Sequence, residues 1–249
     1  MKIIIFFILL LSSLHATTIT VAVAANIGYA MKDLTTAFYK DHPDLHVKVI
    51  IGSSGKLSAQ IQHNAPYDLF LSANVGYPQK LYEHGYTINK PVIYAKGKLI
   101  LFSKKERNFD DGLLTLLHKD IIKIAIANPK TAPYGVAAKE ALLNAGLYTK
   151  LLPKFVYGES IAQTMLYALR ATDIGIVAKS AVFTPTMKHF QKNKNWIEVS
   201  TKYYDPIPQA MVILKHASNK KSVFEFYTFL LSPKAQRIFE HFGYVQGDK

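Results

Sequence analysis

The chain has no cysteine among its 249 residues. That excludes disulfides, thiolate metal sites and a lipid tether attached through a cleavage-site cysteine. Acidic side chains are scarce, 17 against 30 lysines and arginines, giving a formal charge of +13. The basic residues are scattered, clustering only as KKER at 104–107 and KHASNKK at 215–221. No basic stripe or nucleic-acid motif accompanies them, so the charge reads as a solvated surface that draws anions, and no nucleic-acid partner is expected. Long internal repeats and low-complexity tracts are missing as well. Beyond the N-terminus no apolar run is long enough to cross a membrane.

What is present first is a leader-like segment. MKIIIFFILLLSSLHA, residues 1–16, has one lysine, an apolar run from Ile3 to Leu11 and a short polar end at Ala16. This is the layout of a secretory signal peptide, with cleavage expected after Ala16 and a soluble mature chain starting near Thr17. The whole chain is 49% hydrophobic and 19% charged, the composition of a globular protein with a sizeable core.

Short β-type runs then alternate with helical ones. TTITVAVAA at 17–25 reads as a strand, and Ile27, Met31, Leu34 and Phe38 follow at helical spacing. LHVKVIIG, YDLFLSAN and GKLILFSK read as further strands, separated by helices in SGKLSAQIQHNA and YPQKLYEHG. A second set holds the strands IIKIAIANP and IGIVAK, the helices YGVAAKEALLNAG and SIAQTMLYALRATD, the late strand PQAMVILK, and two closing helices broken at Pro233. The alternation predicts an α/β fold of two lobes, each a mostly parallel sheet flanked by helices, with the ligand in the cleft between them. The expected boundaries are residues 17–95 for the first part of lobe one, 96–205 for lobe two, and 206–249 for a return crossing and helices that complete lobe one.

The stretch IIGSSGKLSAQI, residues 50–61, bears on function. As a phosphate loop it fails, because Ile50 stands where the Walker pattern needs its first glycine. As an acyl-enzyme motif it has Ser53-x-x-Lys56, followed by Ser72-Ala73-Asn74 and Lys130-Thr131-Ala132, with alanine where the third motif wants glycine. An exported serine hydrolase using Ser53 and Lys56 is the alternative of another class. The third reading is geometric. AAN, GSSG, APYG and GES each lead into a predicted helix, and helix N-termini carry unpaired N–H groups and partial positive charge. Two facing lobes would gather four such ends around one oxyanion, with Ser54 and Asn26 as side-chain donors and Gly55 allowing close backbone approach.

The same segments carry a resemblance. VAVAANIGYAMKDL, GSSGKLSAQI, APYDLFLSAN, IAIANPKTAPYGVAAKEAL, IGIVAKSAV and FYTFLLSPKAQRIFEHFGY, in that order and spacing, are similar to the periplasmic molybdate-binding proteins of ABC transporters, within the type II solute-binding fold. The resemblance implies oxyanion contacts from Asn26, Ser54, Tyr134 and Ile161, the last two mainly through backbone N–H, with Ala25, Gly55 and Ser160 in support. Ala178 stands where some members place a tyrosine hydroxyl, which the Tyr134 hydroxyl could replace. It also implies a periplasmic monomer, no cofactor, no protein metal ligands, molybdate or tungstate as cargo, and a membrane permease as partner. The alternative within the class is a receptor for sulfate or another oxyanion. His42 and His46 are four apart but separated by Pro43, so no metal site is expected there; Asp68 reads as a structural contact, and Tyr203 and Tyr204 as core and hinge packing.

Overall fold

In the computed structural model residues 17–246 are described; the expected leader at 1–16 lies outside them. The first strand, β1 (Thr17–Ala24), feeds a short 3-10 turn and then α1 (Met31–Tyr39), whose Met31, Leu34 and Phe38 are buried at helical spacing. β2 (Leu45–Gly52) leads through Ser53 into α2 (Ser54–Gln62), and β3 (Leu69–Leu71), α3 (Gly76–Glu83) and β4 (Val92–Gly97) follow. The second set contains β5 (Leu99–Phe102), β6 (Ile124–Ala127), α4 (Pro133–Asn144), α5 (Tyr148–Leu151), β7 (Phe155–Gly158), α6 (Ile161–Arg170), β8 (Ile174–Ala178) and β9 (Trp196–Glu198). β10 (Ile207–Ile213), α7 (Lys221–Leu230) and α8 (Pro233–His241) end the chain, with Pro233 at the first position of its helix.

The strands form two five-stranded sheets, ordered β2-β1-β3-β10-β4 and β7-β6-β8-β5-β9. In each, four strands share one direction and the strand in fourth position opposes its neighbours. The opposing strands, β10 and β5, are those the chain enters on changing sheet, so each sheet is mixed in pairing while mostly parallel in direction. The change of sheet falls at Lys98, between β4 and β5, and the return falls between Glu198 and Ile207.

GKLILFSK, read as a fourth strand of the first set, differs in detail: the first sheet takes Val92–Gly97 and the second takes Leu99–Phe102. The break has a packing cause. A Cβ on Gly97 would overlap the hydroxyl of Tyr134 from the second lobe and approach Gln209 Nε2 to 2.6 Å. Only glycine lets those two side chains meet against the crossing backbone. β7 and β9 went unread in the sequence. Each is only a few residues long, and neither has a fully buried pattern.

Each lobe has its own core. In the first, Phe38 packs against Phe226 and Phe229 at ring-centroid distances of 4.9 and 5.4 Å, tying α1 to the C-terminal helix α7. The second is built from β5, β6 and β8 with Ala137, Ala138, Ala141, Met165 and Ala168 of α4 and α6. Burying one such phenylalanine is worth about 1.5–3 kcal/mol, so the chain's last helices are integral to the first lobe. No helix among the described residues is long and apolar enough to cross a membrane.

Candidate oxyanion site

β1 and β2 run in parallel register, Ala24 opposite Gly52, so Ala25–Asn26 and Ser53–Ser54 leave the sheet side by side. In the second lobe β6 and β7 pair Ala127 with Gly158, and the chain leaves them towards α4 and α6. Four segments therefore start helical structure at the carboxyl edges of strands: the 3-10 turn after Asn26, α2 at Ser54, α4 at Pro133 and α6 at Ile161. They face one small cavity lined by Ala24, Ala25, Asn26, Ser53, Ser54, Ala73, Ala132, Pro133, Tyr134 and Ile161. Its volume is about 190 Å³, counted out to where it opens to solvent, room for one small group. None of the lining side chains is ionisable except the Tyr134 phenol.

The hydrogen-bond accounting shows which groups remain free to act. Ser54 Oγ accepts from Ala73 N–H at 2.9 Å, which occupies a lone pair and leaves the hydroxyl proton to donate. Ser54, Tyr134 and Ile161 lie in first helical turns, where N–H groups have no intrahelical partner. None of these three N–H groups takes a partner elsewhere among the described residues. Ser53 and Ser160 are N-caps, their hydroxyls accepting from Lys56 N–H at 3.4 Å and Gln163 N–H at 3.2 Å. Gly55 N–H donates to Thr131 O of the opposite lobe at 2.9 Å, so this glycine serves the contact between lobes and does not line the cavity. Ser160 does not line it either.

Asn26 is fully buried. Its Nδ2 donates to Gln209 Oε1 at 2.8 Å and to the Tyr244 hydroxyl at 3.0 Å, while its Oδ1 has no partner. Its backbone carbonyl accepts from Tyr244 at 2.8 Å and from Ser180 Oγ of the second lobe at 3.1 Å. Gln209 Nε2 donates to the Tyr134 hydroxyl at 3.1 Å, which ties that hydroxyl to the crossing strand through a lone pair and leaves its proton to donate. Burial pushes the phenols of Tyr134, Tyr94 and Tyr244 well above the ordinary tyrosine range, which keeps all three protonated. The sequence reading missed Gln209, Tyr244 and Tyr94 as a supporting layer. Its one visible signal was a glutamine inside the apolar strand IPQAMVI.

The lobes meet through these bonds and through an exposed ion pair, Lys56 Nζ to Glu159 Oε1 at 3.0 Å. Lys56 therefore carries its amine to the opposite lobe, while the Ser53 hydroxyl caps its own helix. The pair has no nucleophile–base geometry. Asp68, buried, accepts from Thr20 N–H at 2.7 Å, Lys220 Nζ at 2.6 Å and His216 at 3.1 Å, a structural clamp between β1 and the entry to α7.

A family profile described as bacterial extracellular solute-binding protein matches residues 19–245. The chain belongs to that family. It is a binding protein and not an enzyme. It is 35% identical to the molybdate-binding protein ModA of Rhodobacter capsulatus over 92% of this chain and 89% of the relative. It is 36% identical to the protein of the same name from Azotobacter vinelandii, over 95% and 93%. The solved periplasmic molybdate-binding protein of Azotobacter vinelandii superposes with a TM-score of 0.86 at 32% identity, covering 92% of this chain and 100% of that one. The cavity lies between the two lobes and is lined by residues of both.

Proposed function

We propose that this chain captures molybdate outside the cytoplasm and delivers it to an ABC importer, with Asn26, Ser54, Tyr134 and Ile161 as the anion's contacts. The observation that carries the reading is the set of unpartnered N–H groups at Ser54, Tyr134 and Ile161, joined by the Ser54 hydroxyl, around a small cavity without a charged side chain. Fixed neutral dipoles in a dry site stabilise a dianion without reorganising as it binds. Relatives of 35% and 36% identity that bear the name molybdate-binding support the choice of anion. Tungstate, with the same charge and tetrahedral shape, fits the same donors. Sulfate differs in size, and hydrogen phosphate brings a proton that needs an acceptor.

In this reading the leader at 1–16 directs export to the periplasm, the mature chain works as a monomer, and the partner is a membrane permease. The lobes close by hinge motion about the crossings near Lys98 and before β10.

Thermal unfolding of the mature protein, with molybdate, tungstate, sulfate and phosphate at equal concentration and ionic strength, tests the reading. A ligand at a hundred times its dissociation constant adds about 2.7 kcal/mol, a rise in Tm of about 5–10 °C for a chain of this length. Stabilisation by molybdate and tungstate is the expected result. Stabilisation by sulfate alone moves the receptor to another anion, and no shift with any of the four overturns the reading.

A further inference from the structure

The orphaned oxygen of Asn26 does not suit an anion. Asn26 lines the cavity, and with Nδ2 held by Gln209 and Tyr244 the opposite end of its carboxamide is Oδ1, fully buried and unpartnered. A lone pair at that position repels an oxyanion and leaves an unpaired acceptor, a penalty of the kind that decides specificity in buried sites.

A carboxamide can exchange its donor and acceptor ends by a half-turn about its last side-chain bond, with almost no change of shape. Inverting Asn26 alone would set Oδ1 against Gln209 Oε1, at the 2.8 Å now spanned by a hydrogen bond. Gln209 must therefore turn as well. Its Nε2 then donates to Asn26 Oδ1, and also reaches the Tyr94 oxygen, now 3.3 Å from Oε1. Tyr94 can accept there, because its own proton has an acceptor in the Ser72 carbonyl at 2.9 Å. The turned Oε1 faces the Tyr134 hydroxyl, 3.1 Å from the present Nε2, and receives its proton. Tyr244, 3.0 Å from the turned Oδ1, donates to it and gives up the Asn26 carbonyl, which Ser180 Oγ still serves at 3.1 Å. Each of these hydrogen-bonding groups then has a partner except the Nδ2 protons of Asn26, a residue that lines the cavity.

We propose that Asn26 and Gln209 form a paired amide switch that turns as one when the oxyanion binds, converting the first lobe's contribution from acceptor to donor and reorienting the Tyr134 hydroxyl of the second lobe. This rests on the oxyanion reading of the cavity. Gln209 is then a positioning residue. It lies on β10, the strand that returns from the second lobe, and it hydrogen-bonds a cavity residue of each lobe. Anion contact at Asn26 is thereby coupled to Tyr134, whose backbone N–H faces the same anion. The buried phenols keep their protons, so the device works by orientation and not by titration.

The test is side-chain amide NMR on the 15N-labelled mature protein, titrated with molybdate, with the Asn26 and Gln209 NH2 pairs assigned. Without molybdate, nuclear Overhauser effects should join the Asn26 pair to the Tyr244 ring and the Gln209 pair to the Tyr134 ring. With molybdate, the Asn26 pair should lose Tyr244 and the Gln209 pair should exchange Tyr134 for Tyr94. Gln209→Met should weaken molybdate about tenfold, the loss of one buried partner to the anion-contacting amide. Saturable binding with both pairs unchanged overturns the switch and leaves the receptor reading intact, as does a turned arrangement already present without molybdate. No binding overturns the receptor reading and the switch together.

Discussion

Ser54→Ala separates the site from the scaffold around it. The Ser54 hydroxyl has two duties: it accepts from the buried Ala73 N–H at 2.9 Å, and it has a proton left to give. A hydrogen bond to a charged partner is worth about 1.5–3 kcal/mol, so losing the donated bond should weaken molybdate by about 10- to 150-fold. Removing the acceptor also orphans an N–H on a residue that is 2% exposed, at a cost of about 1–3 kcal/mol. Spread over a chain of this length, that is a fall in Tm of about 2–12 °C without ligand. Ser53→Ala is the control. Its hydroxyl caps the same helix through a long 3.4 Å bond, so it should cost about 0.5 kcal/mol of stability and leave affinity alone. Titration calorimetry and thermal melts on both variants give the two quantities separately. If Ser54→Ala binds molybdate as tightly as the parent, the hydroxyl does not face the anion and the site assignment fails.

Three other outcomes follow from the contacts between lobes. A Cβ at Gly55 would lie 2.7 Å from the Tyr77 hydroxyl and 2.9 Å from the Thr131 carbonyl across the cleft, so Gly55→Ala should oppose closure by about 1–3 kcal/mol and raise Kd by about 5- to 150-fold; calorimetry showing an unchanged Kd would refute the role given to this glycine. Lys56→Ala removes an ion pair whose side chains are 53% and 56% exposed, and affinity should change by less than about fivefold, because such pairs contribute about 0–1 kcal/mol; total loss of binding would place Lys56 at the anion. Burial pushes the Glu198 carboxyl up, but hydrogen bonds from Lys179 and Lys98 outweigh it and hold the group below its ordinary 4.5. A depressed carboxylate contributes stability above its unfolded value, lost as pH falls through the folded one, so acid melts should drop below pH 4.5 and Glu198→Gln should flatten that part of the profile.

Much of the fold could be read from local chemistry. The burial of Ile27, Met31, Leu34 and Phe38 follows from their spacing, and Gly146, which closes α4, has a φ of 68° that favours glycine. Three of the small polar segments before helices, and the first residue of the helix after the fourth, line one cavity, because parallel strands deliver their following helices to one edge of the sheet. Where the reading fell short, distance along the chain was the cause. Gly55 looked like a residue that lets an anion approach the backbone, yet the atom it lets approach is the carbonyl of Thr131, 76 positions away in sequence. No local pattern carries that information.

Gln209 marks the same limit more sharply, and shows what a local pattern still offers. β10 lies between β3 and β4, paired on both sides, and Gln209 to Ile213 are all buried. An uncharged amide in such a strand has two donors and two acceptor positions that water cannot reach, so the fold must supply partners for them. Apolar packing would be served better by leucine or methionine, which need no partners at all. A glutamine at this place therefore signals polar groups on both sides of the strand, and on a strand that returns from one lobe to complete the other, those sides belong to different lobes. The partners found, Asn26 in one and Tyr134 in the other, are cavity residues. A buried amide on a crossing strand is thus a sequence-level pointer to the cleft, independent of the helix starts, and it locates the group through which the two halves of the site feel one another.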